Sequence, residues 1–149
     1  MDKAITVSLL ALAAAGALVV MAVPAGASTV IGATGKKLTF ADLLALAESA
    51  GFMGNDAVTA AGIALAESSG DPLAMGDQSL APDKGPSLGL WQINVGDNVH
   101  PEYQNVNLYD PNINAQAAFT LYTRRGGFAD WTTFNNQAYL SRIPEGYQA

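Results

Sequence analysis

The chain has 149 residues, a formal net charge of −6 and no cysteine. Such a length suits one domain with a single core. The acidity argues against a nucleic-acid surface and against a polybasic membrane patch, and the missing thiols exclude disulfides and thiolate metal sites.

After a Met1-Asp2-Lys3 start, residues 4–23 (Ala4 to Val23) carry no charge and are almost wholly apolar. Pro24 and Ala25-Gly26-Ala27 follow. Proline ends a helix, and small residues at Ala25 and Ala27 form an A-x-A cleavage pattern. Residues 1–27 therefore read as a secretory signal peptide or, since the apolar run is about long enough to cross a bilayer core, as an uncleaved membrane anchor. Either reading implies export, with the membrane as a partner through residues 4–23 if the segment is kept. Residues 28–38, with Gly32 and Gly35, read as a linker.

A folded unit is expected over residues 39–149. Thr39 is an N-cap with Asp42 three residues on, and an apolar stripe of Leu43, Leu44, Leu46 and Ala47 predicts a helix over Phe40–Ala50, stopped by Gly51. A second helix starts at Asn55 or Asp56. Val58, Ala61, Leu65 and Ser69 share one face, and Gly70 and Pro72 end it. From Asp71 to Leu108 the chain is rich in Gly, Pro, Asn and Asp, which predicts loops with short helical or extended pieces near Leu88–Val95. Asp110-Pro111 opens a third helix, and Arg124, Arg125 and Gly126 close it. An aromatic segment of Phe128, Trp131, Phe134 and Tyr139 follows, helical in part. The architecture is mainly α.

Glu67 stands apart from the other glutamates, Glu48, Glu102 and Glu145. It falls in the last turn of an apolar, small-residue helix, where the negative end of the dipole and burial both favour the protonated form. A carboxyl that holds its proton is what a general acid requires, although a glutamate bonding a neighbouring loop accounts for the same pattern. His100 is alone, so no metal site is expected and no cofactor motif is present. A lone histidine likewise leaves no serine hydrolase triad.

The stretch Ala64-Leu65-Ala66-Glu67-Ser68-Ser69-Gly70-Asp71-Pro72 resembles the catalytic helix end of the lytic transglycosylase family, which has a lysozyme-like fold. Ser87-Leu88-Gly89-Leu90-Trp91-Gln92-Ile93-Asn94 resembles that family's cleft block, and Leu108-Tyr109-Asp110-Pro111 with Asn114, Ala118 and Tyr122 resembles its next helix start. The three blocks occur in the family's order, over roughly Phe40 to Tyr139. The closest similarity is to small phage-associated or secreted muralytic domains.

The resemblance implies that Glu67 protonates the glycosidic oxygen between N-acetylmuramic acid and N-acetylglucosamine in peptidoglycan glycan strands. The same residue then takes the proton of the muramoyl 6-hydroxyl as that oxygen attacks C1. Gln92 is expected to bind sugar substituents, Ser68 or Ser87 to orient Glu67, and Trp91 and Tyr109 to offer ring faces or pack in the core. Two features depart from the family. A longer gap before Gln92 places a surface loop at Asp77–Pro86, expected to roof the cleft. The family's late tyrosine falls on Phe134, which lacks the hydroxyl that contacts the acid, and Tyr139 is the candidate to replace it. A hydrolytic lysozyme would need a second carboxylate, from Asp71, Asp77 or Asp97. The rival from another class is a catalytically weak wall-binding or virion structural module with this fold. Virion or secretion-apparatus proteins are the further partners implied.

Overall fold

The computed structural model describes residues 35–80 and 83–148. The predicted leader and most of the linker lie outside them. Among the described residues, no helix is long and apolar enough to cross a membrane.

Helix α1 spans Phe40–Ala50. Its capping box is complete: the Asp42 amide donates to Thr39 Oγ1 at 3.3 Å, and the Thr39 amide donates to Asp42 Oδ2 at 2.9 Å. Gly51 ends the helix at φ +119°, a conformation favourable only to glycine. Helix α2 spans Asn55–Ser68 and starts from Gly54 without a side-chain cap. Helix α3 spans Pro111–Arg125, with Asp110 Oδ1 accepting from the Asn112 and Ile113 amides at 2.9 and 3.2 Å. Helix α4 is a single turn, Thr132–Asn135, followed by a 3₁₀ turn at Ala138–Arg142.

The stretch predicted as loops with short pieces near Leu88–Val95 contains a small antiparallel sheet, whose last two strands fall at those pieces. Strands β1 (Met75–Gly76), β2 (Ser87–Leu88) and β3 (Ile93–Asn94) run in that order across it. Gly76 pairs with Ser87, and Ser87 pairs with Asn94, so these residues form one row. Strands of two residues are too short for an alternating hydrophobic pattern to register in the sequence.

Helix α2 is buried more widely than its predicted stripe of Val58, Ala61, Leu65 and Ser69. Ala57, Ala60, Ala61, Ile63 and Ala64 are fully buried, whereas Val58 and Leu65 are half-buried and Ser69 is exposed. The cause is that α1 packs on one side of α2 and the Ala138–Arg142 turn on another. Small side chains permit this: a Cβ at Gly62 would lie 2.9 Å from Ile143 Cγ1. Each large side chain enclosed around α2 contributes about 1.5–3 kcal/mol of hydrophobic stabilisation.

Two tryptophans carry the position of α2 to the end of the chain. The Trp91 indole is fully buried and donates to Ala60 O at 3.0 Å. The Trp131 indole donates to Trp91 O at 2.9 Å, which fixes the start of α4. Asn114, also fully buried, donates to Leu88 O and Leu108 O, each at 2.9 Å, and accepts from the Trp91 amide at 2.8 Å. It thereby ties α3 to the turn between β2 and β3.

Candidate active site

The end of α2 is built to present Glu67. Ser69 takes the left-handed conformation at φ +53°, and its amide donates to Leu65 O at 3.0 Å. Ser68 turns inward, donating to Ala64 O at 2.8 Å and accepting from the Gly70 amide at 3.2 Å. The chain reverses so tightly that a Cβ at Gly70 would collide with Leu38 O. Glu67 is left half-buried on the wall of a cleft of about 610 Å³. Asp77, Ser87, Gln92, Asn94, His100, Asp130, Trp131 and Thr133 also line it.

Thr133, the second residue of α4, donates its hydroxyl to Glu67 Oε1 at 2.6 Å. Burial is the main influence on the Glu67 carboxyl and raises its proton affinity above the ordinary value. The bonds from Thr133 oppose that rise by favouring the carboxylate, and the Asp77 charge adds to it. The outcome is a carboxyl disposed to hold a proton and fixed at one oxygen.

The turn between β2 and β3 shapes the adjoining wall. Gly89 adopts φ +75° and Gln92 φ +47°, and the Gln92 amide closes the turn onto Gly89 O at 3.2 Å. A Cβ at Gly89 would collide with Leu108 O and with the Asn114 carboxamide, so close packing as well as conformation requires glycine. The side chain of Gln92 folds back, Nε2 donating to Gly89 O at 2.8 Å and Ala74 O at 3.2 Å. The sequence suggests an amide that both donates and accepts toward sugar. Here both donor hydrogens serve the backbone, and Oε1 is the polar atom left for a ligand.

The other predicted residues divide between cleft and core. Ser87 lines the cleft but donates to Asp77 Oδ2 at 2.7 Å, not to Glu67. Ser68 caps its own helix end, and Trp91 belongs to the core. Tyr109 lies just before the α3 cap, outside the cleft lining. Tyr139 stacks on Phe134 at 5.3 Å and lines a separate hollow with Asn55, Val58 and Ile143, so it does not replace the missing tyrosine. The hydroxyl beside the acid comes from Thr133, one position before Phe134. Nothing in the sequence marks it, because a threonine after Trp131 reads as an ordinary helix start.

Of the three aspartates considered as a second carboxylate, Asp77 alone lines the cleft. Asp71 Oδ1 accepts from the Leu73 amide at 2.9 Å in the turn after α2, and Asp97 accepts from Gln104 at 2.8 Å on the surface. Arg124 pairs with Glu102 at 2.8 Å and Arg125 with Asp130 at 3.2 Å. Among the described residues, no group of three acidic, histidine or cysteine side chains is placed to hold a metal.

A family model described as a lysozyme-like domain matches residues 44–133. The chain belongs to this lysozyme-like family. Membership places it among the peptidoglycan-degrading domains of lysozyme and lytic transglycosylase type. Glu67, Gln92 and Asp110 fall within the matched span, which ends on Thr133, while Tyr139 falls beyond it. Neither a curated protein nor a solved structure matches the chain.

Proposed function

We propose that this lysozyme-like domain cleaves the β-1,4 bond between N-acetylmuramic acid and N-acetylglucosamine in peptidoglycan, with Glu67 as the proton donor. One observation carries the reading: a half-buried glutamate of raised proton affinity lines the cleft and is fixed by the Thr133 hydroxyl at 2.6 Å. Such a carboxyl is protonated at a pH where an exposed one is ionised, and a leaving sugar oxygen needs that proton. In the transglycosylase reaction implied by the sequence blocks, the ionised Glu67 then accepts the proton of the muramoyl 6-hydroxyl, giving a 1,6-anhydro end. Gln92 Oε1 accepts a hydrogen bond from a sugar hydroxyl or acetamido N–H. The substrate lies outside the cell membrane, in keeping with an exported leader at residues 1–27.

A second reading, hydrolysis by water, is favoured by Asp77 on the same cleft. Both share the first step and one test. The full chain is expected to release soluble muropeptides from purified sacculi, and Glu67→Gln is expected to lower the rate by about a hundredfold or more. A chain that pellets with sacculi and releases nothing is a binding module. A Glu67→Gln variant as fast as the unaltered chain rules out this mechanism.

A further inference from the structure

The hollow that contains Tyr139 is a second cavity, of about 490 Å³, towards the opposite end of α2 from Glu67. Asn55 and Thr59 enter it from the first two turns of α2, Tyr139 and Leu140 from the 3₁₀ turn, and Tyr147 and Gln148 from the last described turn. The buried Ile143 and the half-buried Val58 supply an apolar base. Glu67 stands about two turns beyond Thr59, roughly 12 Å along the helix. The single turn α4 partitions the two cavities: Thr133 bonds Glu67 on the cleft side, and its neighbour Phe134 stacks on Tyr139 at 5.3 Å.

The chemistry of this lining selects a class of ligand. Among the described residues, no charged side chain lines the hollow, although the chain carries a net charge of −6. Asp56, next to Asn55, accepts from the Tyr122 hydroxyl at 2.6 Å instead. An ionic ligand therefore finds no partner there. A wholly apolar one would leave the Asn55 carboxamide and the tyrosine hydroxyls desolvated and unpaired. Gln148 Nε2 donates to Ile143 O at 2.8 Å, which leaves Oε1 as an acceptor. No buried polar side-chain atom among the described residues lacks a partner, so the free polar groups of the hollow face its opening. The two tyrosine rings are held from behind, Tyr139 by Phe134 at 5.3 Å and Tyr147 by Phe40 at 4.9 Å. Fixed rings with polar tips, an apolar base and neutral donors and acceptors match a neutral sugar, which offers an apolar ring face edged by hydroxyl and acetamido groups.

We infer that this hollow is a second glycan-binding site, which holds a neutral N-acetylated sugar of the wall while the cleft acts on another. The inference rests on peptidoglycan being the substrate, not on Glu67 being the acid. N-acetylglucosamine is the wall sugar that fits, because it carries no carboxylate. With both cavities built against α2 and α4, their separation is fixed. A sugar held in the hollow, on the same strand or on its neighbour, keeps the cleft at the wall and raises the local concentration of bonds to cut.

The test is amide NMR of the full chain titrated with the tetramer of N-acetylglucosamine, a neutral soluble probe. The Asn55, Thr59 and Gln148 amides are expected to shift with a midpoint of their own, distinct from that of the Gln92 and Thr133 amides in the cleft. Tyr147→Ala removes a ring from the hollow. Asn55→Asp puts a charge there, and an acid suits the start of a helix, so the fold is kept. Each is expected to weaken binding at the hollow about tenfold and to leave the cleft midpoint in place. Shifts confined to the cleft, or none, overturn the inference, as do hollow shifts that neither variant weakens. So do hollow shifts that follow protein concentration without sugar, which make the hollow an interface between copies. In a Glu67→Gln background, where the wall is expected to stay whole, Asn55→Asp should weaken pelleting with sacculi about tenfold. Unchanged pelleting overturns the inference. The Glu67 assignment fails separately, if Glu67→Gln still cuts, and leaves the hollow shifts as they are.

Discussion

Thr133 donates its hydroxyl to Glu67 Oε1 at 2.6 Å from 66 positions further along the chain. The bond stabilises the carboxylate and so works against the burial that raises the proton affinity of Glu67. Thr133→Val keeps the shape and removes the donor. Glu67 then holds its proton more strongly, and the alkaline limb of the pH–rate profile, where the acid is lost, moves to higher pH. The maximal rate falls because one carboxylate oxygen is no longer fixed. Thr133→Ser retains the hydroxyl and is expected to keep the limb in place. An alkaline limb for Thr133→Val identical to that of the unaltered chain contradicts this role.

Glu67 also has a consequence for stability. Its folded-state proton affinity is raised, so the native state binds a proton more tightly than the unfolded chain does. Its contribution is most favourable below the unfolded pKa and is lost as pH rises through the folded one. Above that window an ionised, half-buried Glu67 destabilises the fold. Glu67→Gln, which stays neutral and can still accept from Thr133, is therefore expected to melt at a higher temperature than the unaltered chain near pH 7. The difference should vanish in acid. Thermal melts at the two pH values check it, and a variant less stable at neutral pH refutes it.

Gly76 and Gln92 constrain each other. A Cβ at Gly76 would stand 2.5 Å from Gln92 Oε1. The carboxamide cannot simply swing away, because Nε2 is bonded to Ala74 O and Gly89 O. Gly76→Ala is expected to destabilise by about 1–2 kcal/mol and to weaken activity by displacing the acceptor on the cleft wall. In a Gln92→Ala background the same substitution should cost little more stability, since the clashing atom is gone. A double-mutant cycle of denaturant midpoints measures this coupling.

Asn114 is a structural residue whose loss should reach the site. Its carboxamide is fully buried and satisfies two carbonyls and one amide. Asn114→Ala leaves those groups without partners and opens a gap beneath the turn that carries Gln92. The expected cost is about 3 kcal/mol or more, with reduced cleavage below the melting transition. Asn114→Asp keeps the Trp91 acceptor but, when ionised, loses both donors, so it should be no better tolerated at neutral pH.

Much of the helical frame is legible in the sequence. Thr39 with Asp42, Gly51, Asp110-Pro111 and Gly126 are local signals, and each works through bonds made within one turn of helix. The candidate site was legible in part. Glu67 and Ser87 line the cleft, as does Gln92 with its donors turned away. Ser68, Trp91, Tyr109 and Tyr139 do not line it, because a residue type permits several environments and only packing selects one. Trp91 became core because Ala60 O and Asn114 hold it there.

What the sequence alone determined about this protein is therefore local: which segments are helical, where they stop, and that a glutamate stands in the last turn of an apolar, small-residue helix. What tertiary structure decided is which distant groups meet that glutamate. Thr133 reaches Glu67 because the Trp91 and Trp131 indoles chain α4 to α2. Asp77 enters the cleft because sheet register sets Gly76 against Ser87 and Ser87 against Asn94. Both depend on contacts between residues far apart in the chain. No short-range pattern encodes such contacts, since they come from closing a shared core and not from the propensity of any one segment.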